Sequence, residues 1–295
     1  MARLRIGTCH WKYPSWVNLV YSREKGINYL EEYARNYSTV EIDQWFWSLF
    51  PGNRPVLPDP AAVHEYAGSV PRDFMFTIKV PNSITLTHFY KNKKDGSLVP
   101  NPHFLSVELF KDFLERIRPL AGLSGPLMFK FEYLNKIKIP GLMEFIAAFG
   151  NFLRHIPPDR VYGIEIRNPN YLQPAFFGFL REHNISFVFL QGYYMPDIVP
   201  LYRKFKEYLV SPVVIRLHGT HRDDIEKQAQ NKWNKILIAR DRELEEVAAM
   251  VGDLLSGGKD VFLNVNNHYE GSSPLTIERI RKLLSAGNII QNNIF

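Results

Sequence analysis

Six short segments of the chain set ionisable and amide side chains at alternate positions. Glu41 and Asp43 lie in TVEID (39–43), Lys79 in FMFTIKV (74–80) and Lys130 in LMFKF (127–131). Glu165 and Arg167 lie in VYGIEIR (161–167), Arg216 and His218 in VVIRLHG (213–219), and Asn264 and Asn266 in VFLNVNN (261–267). Within the segments polar and apolar residues alternate, the two-residue period of a strand with unlike faces. The types suit proton transfer on a small polar ligand. Glu41 and Glu165 are acid/base candidates, and His218 could shuttle a proton near neutral pH. Lys130, if desolvated, could serve as a Schiff-base nucleophile. Arg167, Arg216 and Lys79 could hold a phosphate or carboxylate, the arginines in bidentate fashion. Asp43, Asn264 and Asn266 complete the set as ligand contacts.

The same acids with His218 could in principle ligate a metal. The neighbouring lysines and arginines would repel a dication, and none of the six strand segments holds a His-x-Glu or paired-histidine motif. No metal and no cofactor are therefore assigned; a metal-dependent hydrolase or isomerase stays as an alternative.

The elements that must position these residues alternate along the chain. Apolar runs at 4–9 and 185–191 join the six above to make eight predicted strands. Amphipathic segments at 27–37, 59–69, 103–121, 141–154, 172–184, 197–209, 241–256 and 274–286 predict the helices between them. Asp59-Pro60 has the form of an N-cap followed by proline at the first helical position, and Gly257-Gly258 that of a helix end. Strands alternating with helices require parallel crossovers, and closing such a sheet gives a (β/α)8 barrel, typically about 250 residues. An open doubly wound sheet is the alternative, but IGTCHWKYP after the first strand is no glycine-rich phosphate loop. One barrel domain over 1–295 is expected.

In such a barrel the uniformly apolar strand face meets the helices, so the polar face points into the lumen. The polar residues crowd the C-terminal strand ends, where this fold builds its active sites. Buried charges cost several kcal/mol each unless paired. Three acids (Glu41, Asp43, Glu165) against four cations (Lys79, Lys130, Arg167, Arg216) allow most of them to be compensated internally. A charged network that merely fills the barrel is the plainer reading; the catalytic-face position, with His218 included, favours a ligand.

Loops on that face add candidates. The stretch 81–102, PNSITLTHFYKNKKDGSLVPNP, far exceeds the usual two to six residues and could act as a lid carrying His88 and Tyr90. Trp45, Phe46 and Trp47 in DQWFWSLFP, and His10, Trp11, Tyr13 and Trp16 in CHWKYPSW, offer aromatic walls for a planar or sugar-like ligand; packing beneath the loops is the competing use. Of these, Trp11, Trp45 and His88 are taken as ligand contacts.

Composition narrows the class. Hydrophobic residues make up 45%, charged residues 22% and aromatics 14%, a globular balance with an aromatic surplus. A net charge of +6 permits an anionic partner without requiring one, and the basic YKNKKDG lies in a predicted loop; nucleic acid is the less favoured partner. No apolar run reaches the roughly 18 residues of a membrane span. The N-terminus enters a strand directly and Cys9 is the one cysteine, so a cytoplasmic protein without disulfides is expected.

These segments also resemble a known family. RIGTCHWKYPSW resembles the opening IGTSGWxYxxW, and STVEIDQWFW is similar to TVEINSTFY. FMFTIKVPNSITLTH, YGIEIRNPNY, VVIRLHG and VFLNVNNHYEG resemble, in order, the segments FxFxxKxxxxxTH, EFRHxSW, YVRLHG and VYFNNxxxG of the YecE-like family, domain of unknown function 72. The resemblance spans essentially the whole chain and implies a barrel related to triosephosphate isomerase, but no activity. Glu41, Lys79, His88, Glu165, Arg167, Arg216, His218 and Asn266 match the pattern individually. Asp43-Gln44-Trp45 stands where the family has Asn-Ser-Thr, Lys130 replaces a glutamine, and Asn168 replaces the histidine of EFRH, which suggests an altered ligand. The expected function is an enzyme binding a small anionic or sugar-like ligand; a non-catalytic nucleotide or nucleic-acid binder is the alternative.

Overall fold

In the computed structural model, which describes residues 2–45, 52, 54–90, 98–219 and 222–286, strand order and pairing follow the chain. The strands are β1 (Leu4–Thr8), β2 (Thr39–Ile42), β3 (Met75–Lys79), β4 (Ser124–Phe131), β5 (Tyr162–Ile166), β6 (Ser186–Gly192), β7 (Val213–Gly219) and β8 (Val261–Val265). All pair in parallel, each with the next, and β1 pairs with β8, which closes an α/β barrel of the triosephosphate isomerase type.

The helices are α1 (Tyr29–Ala34), α2 (Pro60–Gly68), α3 (Asn82–Thr85), α4 (Val107–Arg116), α5 (Leu142–Leu153), α6 (Pro174–Glu182), α7 (Ile198–Phe205), α8 (Arg222–Ala229), α9 (Asp241–Ser256) and α10 (Ser273–Ala286). Local chemistry sets several starts. The Asn28 side chain accepts from the Leu30 and Glu31 amides, Asp59 accepts from Ala61 ahead of Pro60, and Ser106 accepts from Leu109. Two helices add to the predicted set. α3 is a single turn inside the long 81–102 connection, and α8 is a charged helix whose buried residues are Ile225 and Ala229.

The two faces of the strands pack separately. Val40, Ile42, Phe76, Ile78, Phe129, Phe131, Ile164, Ile166, Ile215, Leu217, Leu263 and Val265 join the helices in one outer core. Much of the aromatic surplus sits there. Phe129 packs against Phe110, Phe149 and Phe152 at 5.3–5.5 Å, and Phe131 meets Phe145 edge-on at 5.0 Å. A second, inner cluster of Met128, Val188, Val214 and Phe262, with Met75 against it, takes the lumen face at the N-terminal half of the strands. It forms an apolar floor; the charges stand above it.

The described part of the 81–102 connection is anchored at both ends. The Asn101 amide donates to the Ser83 and Leu86 carbonyls, Phe89 N–H donates to Val99 O, and Phe89 and Thr87 are buried. The basic run 91–96 lies outside the described residues.

Candidate functional site

Above the apolar floor, Arg216 reaches from β7 across the lumen. Its Nε donates to Glu41 Oε2 at 2.8 Å and its Nη2 to Glu41 Oε1 at 2.9 Å, a bidentate pair with an acid on β2. Its Nη1 donates to Glu165 Oε2 on β5, and Lys130 on β4 closes the set by donating to Glu41 Oε1. Glu41 and Glu165 are fully buried and Arg216 nearly so. Burial alone would push both carboxyls up, but the charges of Arg216 and Lys130 more than offset it. Glu41 is held below its ordinary value and Glu165 at about 2. The acids in turn hold Arg216 well above its ordinary value despite the burial that opposes it. Two acids and two cations therefore form a closed inner set.

Arg167 lies beyond it, at the end of β5. Its Nε is 3.3 Å from Glu165 Oε1, its guanidinium lies over the Tyr193 ring at 4.6 Å, and its side chain remains 38% exposed. Counted together, Glu41, Glu165, Lys130, Arg216 and Arg167 carry two negative and three positive charges. The surplus cation is the one that meets solvent.

Burial works against the charged form of three further groups. Lys79 is nearly buried; burial first, then the Lys130 ammonium, pushes its amine down to about 6. Burial and the neighbouring Glu41 charge push Asp43 up. Burial, then Arg216 and Lys130, push His218 well below its ordinary value. His218 Nε2 is 3.4 Å from Cys9 Sγ and its Nδ1 is 3.3 Å from the Tyr193 hydroxyl. A neutral imidazole has one accepting and one donating nitrogen, which suits a thiol on one side and a phenol on the other. Burial also lowers His10, which feels the Asp43 charge.

Other sequence candidates are placed differently. Trp11 is buried edge-on against Tyr66 at 5.1 Å, and Trp45 is buried edge-on against Phe113 of α4 at 5.9 Å. Both belong to the outer core, which takes Trp45 away as a stacking platform; Phe46 and Trp47 lie outside the described residues. Asn264 is deep in the lumen and donates across it to Thr77 Oγ1 at 2.9 Å. The Asn266 side-chain Oδ1 accepts from His268 N–H, tying down the turn after β8. His88 is half-buried beside Thr87, within electrostatic reach of Lys138 and Glu132. Among the described residues no group of three His, Cys, Asp or Glu side chains could hold a metal, and Glu41 and Glu165 already face Arg216.

Cys9, His10 and Tyr193 enter the site without having been selected from the sequence. Cys9 and His10 sit at the end of β1, two residues quoted there only as part of an aromatic loop. Tyr193 follows Gly192 in the left-handed region at φ +52, a conformation costing on the order of 1–3 kcal/mol for such a residue. That turn brings its ring under Arg167 and its hydroxyl to His218. A groove of about 650 Å³ lies to the side, lined by Gln191, Ile198, Arg240 and Glu246, and includes none of the lumen charges.

Known proteins share this architecture. A DUF72 family protein of Enterococcus faecalis V583 superposes with a TM-score of 0.67 at 20% identity, covering 99% of this chain and 98% of its own. One from Thermotoga maritima MSB8 gives 0.67 at 18% identity, covering 96% and 99%. In sequence, UPF0759 protein YecE of Escherichia coli K12 is 28% identical over 166 residues, 56% of this chain. That alignment spans 49% of YecE, about half its length. The family model described as protein of unknown function DUF72 matches residues 5–293, so the chain belongs to the DUF72 family.

Proposed function

We propose that the C-terminal mouth of the barrel binds a small ligand carrying a phosphate or carboxylate on a sugar-sized polar body, and catalyses proton transfer on it. The observation that carries this reading is the charge surplus. The inner set neutralises itself and leaves Arg167 partly exposed on a Tyr193 platform, able to turn its unshared N–H groups to an anion. Arg216, by contrast, is engaged by two carboxylates and acts by holding them. Asp43, held up by burial, and the neutral His218 supply candidate proton donors and acceptors beside that anchor.

The test is a thermal-shift and calorimetric comparison of ribose 5-phosphate, glucose 6-phosphate and inorganic phosphate with the parent sugars. Phosphorylated ligands should stabilise the protein, and Arg167→Ala should weaken them at least tenfold, as expected for losing a charge-assisted pair worth about 1.5–3 kcal/mol. Equal affinity in Arg167→Ala would defeat the reading. Tight binding of single-stranded oligonucleotides that falls steeply with salt would favour a nucleic-acid role instead.

A further inference from the structure

Lys79 ends β3 on its lumen face, between two groups of opposite kind. Ile42 pairs with Ile78, so Asp43 and Lys79 each follow a paired residue on neighbouring segments, and the Asp43 charge acts on the Lys79 amine. On the other side Lys79 is level with Met128, so Lys130 lies two residues further along the same face of β4. Lys130 is held there by its ion pair with Glu41, which fixes one positive charge beside a second amine. A desolvated lysine next to another cation is the arrangement that yields an uncharged, nucleophilic amine at neutral pH.

We propose that Lys79 forms an imine with the carbonyl carbon of a small anionic aldehyde or ketone whose anionic group is held by Arg167. The inference rests on the reading of the mouth as an anion site and adds a covalent step to it. The Lys79 nitrogen lone pair attacks the carbonyl carbon and the C=O π pair moves to oxygen. Transfer of a proton from nitrogen to that oxygen gives a neutral carbinolamine. Asp43, whose carboxyl burial pushes above its ordinary value, is the candidate general acid: in its protonated form it protonates the hydroxyl, water leaves as the C=N bond forms, and the iminium proton returns to the Asp43 carboxylate. The sum is amine plus carbonyl giving imine plus water, with no change in oxidation level. Reprotonated on nitrogen by Asp43, the iminium would then serve as an electron sink for proton abstraction or carbon–carbon cleavage next to it.

Charge state sets the expected selectivity. At pH 7 an amine with pKa about 6 is roughly nine-tenths uncharged, whereas an ordinary lysine near 10.4 is uncharged in about 4 molecules per 10,000. That advantage is about 2,000-fold. A Brønsted slope of about 0.4–0.5, as for thiolates, returns about a hundredfold of it and leaves roughly twentyfold.

The experiment uses the full wild-type chain with pyridoxal 5′-phosphate at pH 7, borohydride reduction and peptide mapping by mass spectrometry. Lys79 should label at least tenfold faster than exposed lysines such as Lys111. Labelling should fall in Arg167→Ala and be blocked by pyridoxine 5′-phosphate, which has the phosphate without the aldehyde. Mapping on wild type makes the result independent of whether a Lys79 variant folds. If pyridoxine 5′-phosphate binds through Arg167 but label appears on surface lysines alone, the nucleophile is refuted and the anion site stands. If unphosphorylated pyridoxal labels Lys79 as fast, and Arg167→Ala changes nothing, the nucleophile stands and the Arg167 anchor falls. Neither binding nor labelling would overturn both.

Discussion

Replacing Arg216 by methionine, an apolar side chain of similar reach, should destabilise the protein by about 3–5 kcal/mol, the usual cost of removing one partner of a buried ion pair. The structure explains why the loss is large but bounded. Arg216 serves two fully buried acids at once, with three N–H donors directed at Glu41 and Glu165. Glu41 retains Lys130, and Glu165 retains Arg167 at 3.3 Å. The acid limb provides an independent magnitude. A Glu165 pKa of about 2 in the folded protein, against an ordinary 4.5, corresponds to about 3 kcal/mol of stability at pH 7. Because the folded value is depressed, that contribution is complete above about pH 4.5 and is lost as pH falls towards 2. At pH 3 about 1 kcal/mol of it remains.

Urea unfolding followed by circular dichroism at pH 7 and pH 3 checks both figures. The gap between wild type and Arg216→Met should narrow by at least about 2 kcal/mol between those pH values. Adding Glu165→Gln to Arg216→Met should recover part of the loss, because it removes a charge left without its main partner. A cost below about 1 kcal/mol at pH 7 would show that water, rather than Arg216, compensates the acids, and the closed inner set would be abandoned.

Lys79→Met should stabilise the protein at pH 7 by up to about 4–5 kcal/mol, since a folded pKa near 6 against 10.5 disfavours the native state wherever the unfolded chain holds the proton. The gain should shrink by about 2–3 kcal/mol at pH 9, measured by the same urea titration; a gain that grows with pH would contradict the sign. His218 should stay neutral through the range around pH 6.5 where an unperturbed imidazole titrates, as read from its ring-proton shifts by NMR; titration there would mean that water reaches it. Gly192→Ala should cost about 3 kcal/mol or more in thermal unfolding, because φ is +130 and the new Cβ would lie 2.2 Å from the Gly219 carbonyl oxygen. An unchanged melting temperature would mean that β6 and β7 separate readily at that end.

Strand parity was legible in the sequence because a barrel strand has two unlike neighbours, helix and lumen, and the period of two records which is which. Val40 and Ile42 do join the outer core, and Glu41 does face inward. Parity gives direction, however, and says nothing of reach. Arg216 reads as a ligand contact until its long side chain is followed to acids on β2 and β5. Trp45 reads as a loop aromatic because the sequence does not show that the chain leaving β2 turns back onto Phe113. α8 went unread because Arg-Asp-Asp-Ile-Glu-Lys-Gln-Ala has two buried residues in eight, too thin a stripe for a helical period. Tyr193 was invisible for another reason: a tyrosine in the left-handed region has no propensity signature, and only the preceding Gly192 hints at the turn.

Glu41 and Asp43 show how far position alone can separate two like residues. They lie two apart at the end of one strand, facing one lumen, yet the first is held below its ordinary pKa and the second above it. The difference is the order in which the cations are taken. Glu41, one step deeper, accepts both from Arg216 and from Lys130 and becomes a fixed anion. Asp43 then feels the Glu41 charge more strongly than that of any one cation, so repulsion adds to burial and Lys130 and Arg216 offset only part of it. The same ordering acts on the bases: Glu41 fixes Lys130 as a cation, and burial together with that charge pushes the Lys79 amine down. The closed pair of ion pairs thus acts electrostatically on its neighbours in the lumen, one acid being pushed up and one base pushed down. Those two are Asp43, just past the end of β2, and Lys79, at the end of β3.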